Sequence, residues 1–121
     1  MFLLDSNIVI YATKPNYNDL RKYLSTSPLS VSAVTYLEVM GYHLLQEEEK
    51  ELLRKFFGSI QVFQIDSQII SSAVSLRQSR KMSLGDSLIA ATALVYDILL
   101  VTNNIEDFSW IKELKLHNPI S

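Results

Sequence analysis

The chain has 121 residues, 48% of them hydrophobic, with three glycines and three prolines, a composition that excludes disorder and suits one domain with a buried core. It has no cysteine, which excludes disulfides and thiolate metal sites and fits a reducing cytoplasm. Eleven Lys and Arg against 13 Asp and Glu give a net charge of −2, so this is no basic domain built to coat nucleic acid, and any such contact must be local or bridged by cations.

In chain order, Phe2-Leu3-Leu4 reads as a strand ending in a polar turn at Asp5-Ser6-Asn7. Asn18 to Leu24 is amphipathic and helical, and Pro28 to Ser32 suggests a second strand. A helix from about Ala33 to Leu45 follows, then another from Glu47 to Phe57 that Gly58 would stop. Ile60 to Ile65 alternates as a strand does, and Ser67 to Arg80 has a helical apolar face built mainly by Ile70, Ala73, Val74 and Leu76. From Ser83 to about Asp97 runs a helix that is apolar on every side after Asp86, the pattern of a helix buried all round. Ile98 to Thr102 is an apolar strand with a polar end, and Leu114-Lys115-Leu116 is a short final strand. Strands alternating with helices imply crossover units: one α/β domain over residues 1–121, with a mostly parallel sheet covered on both faces. The longest apolar stretch, Ser87 to Tyr96, is too short to span a bilayer, and the opening residues form no secretion signal. A soluble, cytoplasmic protein is expected.

Open parallel sheets bind ligands beyond the carboxyl ends of their strands. Asp5 and Thr102-Asn103-Asn104 close two apolar strands there, while Glu38 and Asp86 stand near helix starts, which lie on the same edge. Each acid also has a simpler reading. Asp5 suits a turn or N-cap; Ser83…Asp86 and Thr35…Glu38 both have capping-box spacing; Asp107 can be a loop carboxylate. Taken together they point to a cation, because clustered carboxylates repel unless one neutralises them, and hard oxygen ligands suit Mg2+ or Mn2+.

Other chemistries lack support. His43 and His117, the only histidines, have no triad or zinc pattern around them; Ser87 lacks nucleophile-elbow glycines; and there is no Gly-rich phosphate loop. Arg77, Arg80 and Lys81 form a small basic stretch before Ser83. A solvated helix end is its simpler reading, and phosphate binding by Arg80 and Lys81 is the other.

The sequence resembles the PIN-domain nucleases, especially the small VapC-type toxins of toxin–antitoxin modules, from Leu3 almost to the C-terminus. Leu3-Leu4-Asp5-Ser6-Asn7 is similar to the family's opening strand and first aspartate, and Ser32 to Glu38 with Gly41 to the segment carrying its glutamate. Gly85-Asp86-Ser87-Leu88-Ile89-Ala90-Ala91-Thr92-Ala93 looks like the helix led by its third acid. Val101 to Phe108 looks like its Thr-x-Asn-x-x-Asp-Phe signature, with Asn103 where Arg is often seen and Ser6 where Thr is frequent.

The resemblance implies a PIN-like three-layer sandwich and a metal-dependent endoribonuclease that hydrolyses RNA phosphodiester bonds as the toxin of a pair. Asp5, Glu38, Asp86 and Asp107 would be its catalytic and metal-binding acids, holding one or two Mg2+ or Mn2+ directly or through water. Ser6, Thr102 and Asn104 would orient carboxylates or water. It also implies a homodimer and a cognate VapB-like antitoxin whose tail occupies the acidic groove. The aromatics Tyr36, Tyr42, Phe56 and Phe57 would serve either those interfaces or the core.

Two rivals differ in kind. An aspartyl-phosphate phosphatase wants a second Asp two residues after the first, where this chain has Asn7, and a receiver wants paired acids at its first strand. A nuclease-like fold reduced to an interaction module is the non-enzymatic rival, opposed by the presence of all four acids.

Overall fold

Phe2–Leu4 forms the central strand β1 of a five-stranded sheet, in a computed structural model that describes every residue from Met1 to Ile120. The other strands are β2 (Leu29–Ser32), β3 (Gln61–Phe63), β4 (Leu99–Val101) and β5 (Leu116–His117), in the order β3-β2-β1-β4-β5. Every pairing is parallel, with Phe2 beside Leu29 on one flank and beside Leu99 on the other. The chain therefore winds outward from β1 through β2 to β3, then returns to the opposite side of β1 as β4. The switch point lies between β1 and β4, where such sheets open a crevice at the carboxyl ends.

Side chains alternate across the strands, so each strand feeds two cores. Leu3 and Leu100 pack with Ile89, Ala90 and Ala93 of α6 (Leu84–Tyr96) and with Phe108 of α7 (Ile105–Phe108). Leu4, Val31 and Val101 face the other way, toward α1 (Ser6–Ala12), α2 (Asn18–Leu24), α3 (Ala33–Met40) and α4 (Glu47–Gly58). Outside α6 lies α5 (Ser67–Ser79), whose Ile69 and Ala73 cover Ala91. The result is the expected three-layer sandwich, with a sheet that is wholly parallel. The all-round apolar character of α6 follows from this position, because it is clamped between the sheet and α5. Its buried hydroxyls are satisfied within the helix, Ser87 Oγ donating to the Leu84 carbonyl and Thr92 Oγ1 to that of Leu88, each at 2.7 Å.

Several boundaries differ from the sequence reading. The polar turn expected after Asp5 is the start of α1, capped by Asp5, whose carboxylate accepts the Ser6 N–H. Ile8 and Val9 are poor helix formers, and their full burial holds them there. The helix expected to reach Leu45 stops at Met40, with the Gly41 N–H donating to the Leu37 carbonyl at 2.8 Å. A side chain at Gly41 would place its Cβ 2.5 Å from that oxygen, so only glycine allows the close approach. Helix α4 runs through Gly58 to a cap at Ser59, and β5 falls at Leu116–His117 while Leu114 joins the core. The short α7 follows β4 where only a loop was expected.

Candidate active site

Asp5 leaves β1 with its N–H donating to the Val101 carbonyl at 3.0 Å, so it is stitched to the neighbouring strand at the switch point. It is 6% exposed, and both carboxylate oxygens are engaged. Oδ1 accepts the Ser6 N–H at 2.8 Å, and Oδ2 accepts from Thr102 Oγ1 at 2.7 Å. Thr102 Oγ1 also accepts the Asn104 N–H at 3.0 Å, so its single proton is committed to Asp5. One buried hydroxyl thus ties the end of β4, the turn into α7 and the first acid together.

Ser6 extends the network to Glu38, donating from Oγ to Oε1 at 2.7 Å, with the buried Thr35 Oγ1 3.5 Å from Ser6 Oγ. The capping-box reading of Glu38 fails here. Ser32 is the cap of α3, accepting from Val34, and Thr35 already lies inside the helix. Glu38 reaches instead toward the first turn of α6, where a Cβ built on Gly85 would lie 3.0 Å from Glu38 Oε2. Gly85 leaves room for that carboxylate beside Asp86, a contact the sequence reading missed. The reading of Asp86 as a capping acid is also superseded: Ser83 caps α6 by accepting the Asp86 N–H at 3.1 Å.

Asp86 is where the charges meet. Burial raises its pKa most, the charge of Asp5 adds to this, and Asp107 and Glu38 add further, while a Ser83 hydrogen bond opposes them. The Asp5 pKa is raised by burial first and by Asp107 last, against the lowering hydrogen bonds from Thr102 and Ser6. Repulsion among carboxylates from β1, α3, α6 and α7 is the electrostatic signature of a place prepared for positive charge. Asp107 is solvent-exposed on α7, and Asn104 contributes its backbone N–H rather than its amide. Beside Asn104, the Asn103 Oδ1 is buried and accepts no hydrogen bond within the described residues.

Among the described residues, no three acidic or histidine side chains converge closely enough to hold one ion between them. The donor set nevertheless fits Mg2+ or Mn2+. These ions are commonly held by one or two carboxylates, keep several waters and take further ligands from phosphate. Asp5 and Asp86 supply the most desolvated carboxylates, and Glu38 and Asp107 lie within reach of their charge. A polar cleft of about 170 Å3 is lined by Asp86 and Asp107 together with Arg80, Lys81 and Trp110. Trp110, which the sequence reading passed over, stands at helical spacing three residues beyond Asp107 and donates from Nε1 to the Asp107 carbonyl at 3.1 Å. His117 stacks at a tilt on Tyr23, as a structural histidine. Of the aromatics, Phe57 is core and Phe56 packs on that core, while Tyr36 and Tyr42 are 43% and 53% exposed.

A wholly parallel, doubly wound sheet with acids gathered at its switch point defines a class of α/β proteins whose chemistry sits on that one edge. The chain belongs to the PIN domain family, whose model matches residues 2–113. It is 27% identical to Ribonuclease VapC2 of Rickettsia felis over 131 aligned positions, covering 98% of this chain and 97% of that protein. It is 26% identical to the tRNA(fMet)-specific endonuclease VapC of Salmonella typhimurium, over 97% of this chain and 96% of the relative. Among solved structures, a toxin-antitoxin complex from Klebsiella pneumoniae contains a chain of TM-score 0.82 at 27% identity, with 98% of each chain covered.

Proposed function

We propose that the protein is a divalent-cation-dependent endoribonuclease and the toxin of a toxin–antitoxin pair. The observation that carries this reading is the placement of Asp5, Glu38, Asp86 and Asp107 at one sheet edge, with mutual repulsion that a cation would relieve. The ribonuclease names of its relatives supply the reaction class. Asp5 and Asp86 would hold the cation, with Glu38 and Asp107 adding negative charge to the same site. When bound, Mg2+ or Mn2+ would neutralise these acids, attract the scissile phosphate and activate water. Ser6 fixes Glu38, and Thr102 fixes Asp5 by donating to its Oδ2.

The cognate partner is a VapB-like antitoxin, and a homodimer completes the assembly. Tyr36 and Leu37 are exposed on α3 beside Glu38, where a partner segment would touch both apolar surface and acids. A chain without cysteines is suited to the cytoplasm, and among the described residues no helix is long and apolar enough to cross a membrane.

The test is RNA cleavage by purified wild type and Asp86→Asn in Mg2+ or Mn2+, with circular dichroism as the folding control. Wild type is expected to cut and the folded variant to be silent. Undiminished cleavage by the variant, or none by wild type with either ion, rejects the reading, and the latter result favours an interaction module.

Two further substitutions probe the supporting residues. Thr102→Val removes the donor that lowers the Asp5 pKa and the acceptor of the Asn104 N–H. Activity should fall about 10- to 100-fold, as for other groups that orient a metal ligand. The acid limb of the pH–rate profile should move to higher pH, because Asp5 then ionises less readily. Gly85→Ala gains roughly 1 kcal/mol of helix propensity, yet its methyl presses on Glu38 Oε2. The thermal midpoint should hold or rise while cleavage drops about 10-fold, within the 100-fold that a 1 Å misplacement can cost. A full-activity Gly85→Ala protein would show that Glu38 has no positional role.

A further inference from the structure

The polar cleft next to the acids is lined by groups of opposite character, the acids Asp86, Glu106 and Asp107 together with Arg80, Lys81 and Trp110. Two cations and three acids so close would ordinarily pair, yet the ion pairs among the described residues involve neither Arg80 nor Lys81. Instead the Arg80 guanidinium lies over the Trp110 ring, 5.6 Å from its centroid, within the range of a cation–π contact. The indole is partly exposed and is pinned by its N–H to the Asp107 carbonyl, so its plane is fixed relative to an acid of the site. Arg80 ends α5 in an extended conformation, and the Arg77 Nε donates to the Met82 carbonyl at 3.3 Å, holding the segment between Arg80 and the Ser83 cap.

A rigid, partly exposed indole beside two unpaired cations is the composition of a platform for single-stranded nucleic acid. Bases stack on aromatic faces, guanidinium planes extend the stack, and free cations take the backbone phosphates. Resting on the endoribonuclease reading above, we propose that Trp110, Arg80 and Lys81 form a nucleotide subsite beside the acids, where Trp110 and Arg80 stack on one unpaired base and Lys81 holds an adjoining phosphate. The arrangement answers how a chain of net charge −2 engages a polyanion. The acids would meet the strand through cations at one point, and these three residues hold it at the next. It also sets a preference for unpaired RNA, since a base locked in a duplex offers no free face. Trp110 and Arg80 are positioning residues here, not catalytic ones.

Trp110 is the sole tryptophan of the chain, so its fluorescence reports on this subsite alone. The experiment titrates 5′-labelled 12-nucleotide oligoadenylate RNA into the cleavage-silent Asp86→Asn protein with Mg2+, following label anisotropy for binding and Trp110 emission for stacking. Saturable quenching of Trp110 that tracks anisotropy is expected, and a blunt RNA duplex of equal length should quench far less. Arg80→Ala, an exposed substitution that spares the core, should weaken binding about 3- to 10-fold, and in otherwise wild-type protein Trp110→Leu should raise KM about 5- to 100-fold with kcat largely kept. Because Trp110 also packs against the core, Trp110→Phe serves as the folding-safe variant and should recover most of the lost KM. Binding by anisotropy with unchanged Trp110 emission, or equal KM for Trp110→Leu and wild type, overturns the subsite and leaves the nuclease reading standing. Absence of both RNA binding and wild-type cleavage overturns the two together.

Discussion

Asp5→Asn should reduce RNA cleavage by about 100- to 1,000-fold, the equivalent of the several kcal/mol that a correctly held cation supplies, while leaving the metal-free protein as stable as wild type or more so. These opposite effects follow from one cause. Burial raises the Asp5 pKa above its ordinary value of 3.8, so the folded state binds that proton more tightly than the unfolded chain. The associated stability is fully present below the ordinary carboxylate value and is lost as pH rises through the raised, folded-state value. Above that value the wild type carries an ionised, desolvated carboxylate that the amide does not. The amide keeps an acceptor for the Ser6 N–H but turns a donor toward Thr102, which cancels part of the gain. In chelator at pH 7 the variant's melting midpoint should match wild type or exceed it by up to about 4 °C, the response of such a domain to roughly 1 kcal/mol. Added Mg2+ should raise the midpoint of wild type and not of the variant. A variant that melts well below wild type in chelator would mean that Asp5 is chiefly a structural cap.

Phe108→Ala should destabilise the protein by about 3–5 kcal/mol, the usual cost of emptying a buried aromatic site. Phe108 is fully buried in the cluster that holds Leu3, Ile89, Leu100 and Ile111. It is also the only buried residue of α7, a helix of four residues that cannot persist without tertiary anchoring. Loss of the ring should thus release Asp107, and the cleavage rate per folded molecule should fall as well. Urea unfolding measures the first effect, and kinetics at a temperature where the variant remains folded measures the second. Asp107→Asn is the control, expected to lose activity with its stability intact. A Phe108→Ala protein within 1 kcal/mol of wild type would contradict this anchoring role.

The strands that build the site are visible in the sequence because each is a short apolar run closed by a polar residue: Phe2 to Leu4 by Asp5, and Leu99 to Val101 by Thr102. The crossover rhythm then places those ends on one edge. Helix α1 is not visible, because β-branched Ile8, Val9 and Ile10 carry little helical signal and only the Asp5 cap and core burial decide their state. Helix α7 is too short to show a period. Capping-box spacing misleads at Glu38, since Thr35 fits the pattern but Ser32 had already begun the helix. It half-misleads at Asp86, where Ser83 does cap but the acid is left to face its neighbours. The approach of Glu38 to Gly85 is tertiary and leaves no trace in local pattern. The buried character of α6, by contrast, is plain in the sequence, and its cause is mechanical: a helix gripped by sheet and α5 holds Asp86 still at its first turn.

The central claim is that these four acids exist to hold a divalent cation. Titration of Mn2+ into the protein, with electron paramagnetic resonance reporting the free ion, tests it without depending on the RNA substrate. Wild type should take up one or two ions, Asp86→Asn should bind them at least about tenfold more weakly, as for a lost contact of 1.4 kcal/mol or more, and the Asp5→Asn/Asp86→Asn double variant should bind none specifically. Equal uptake by wild type and the folded double variant would contradict the account.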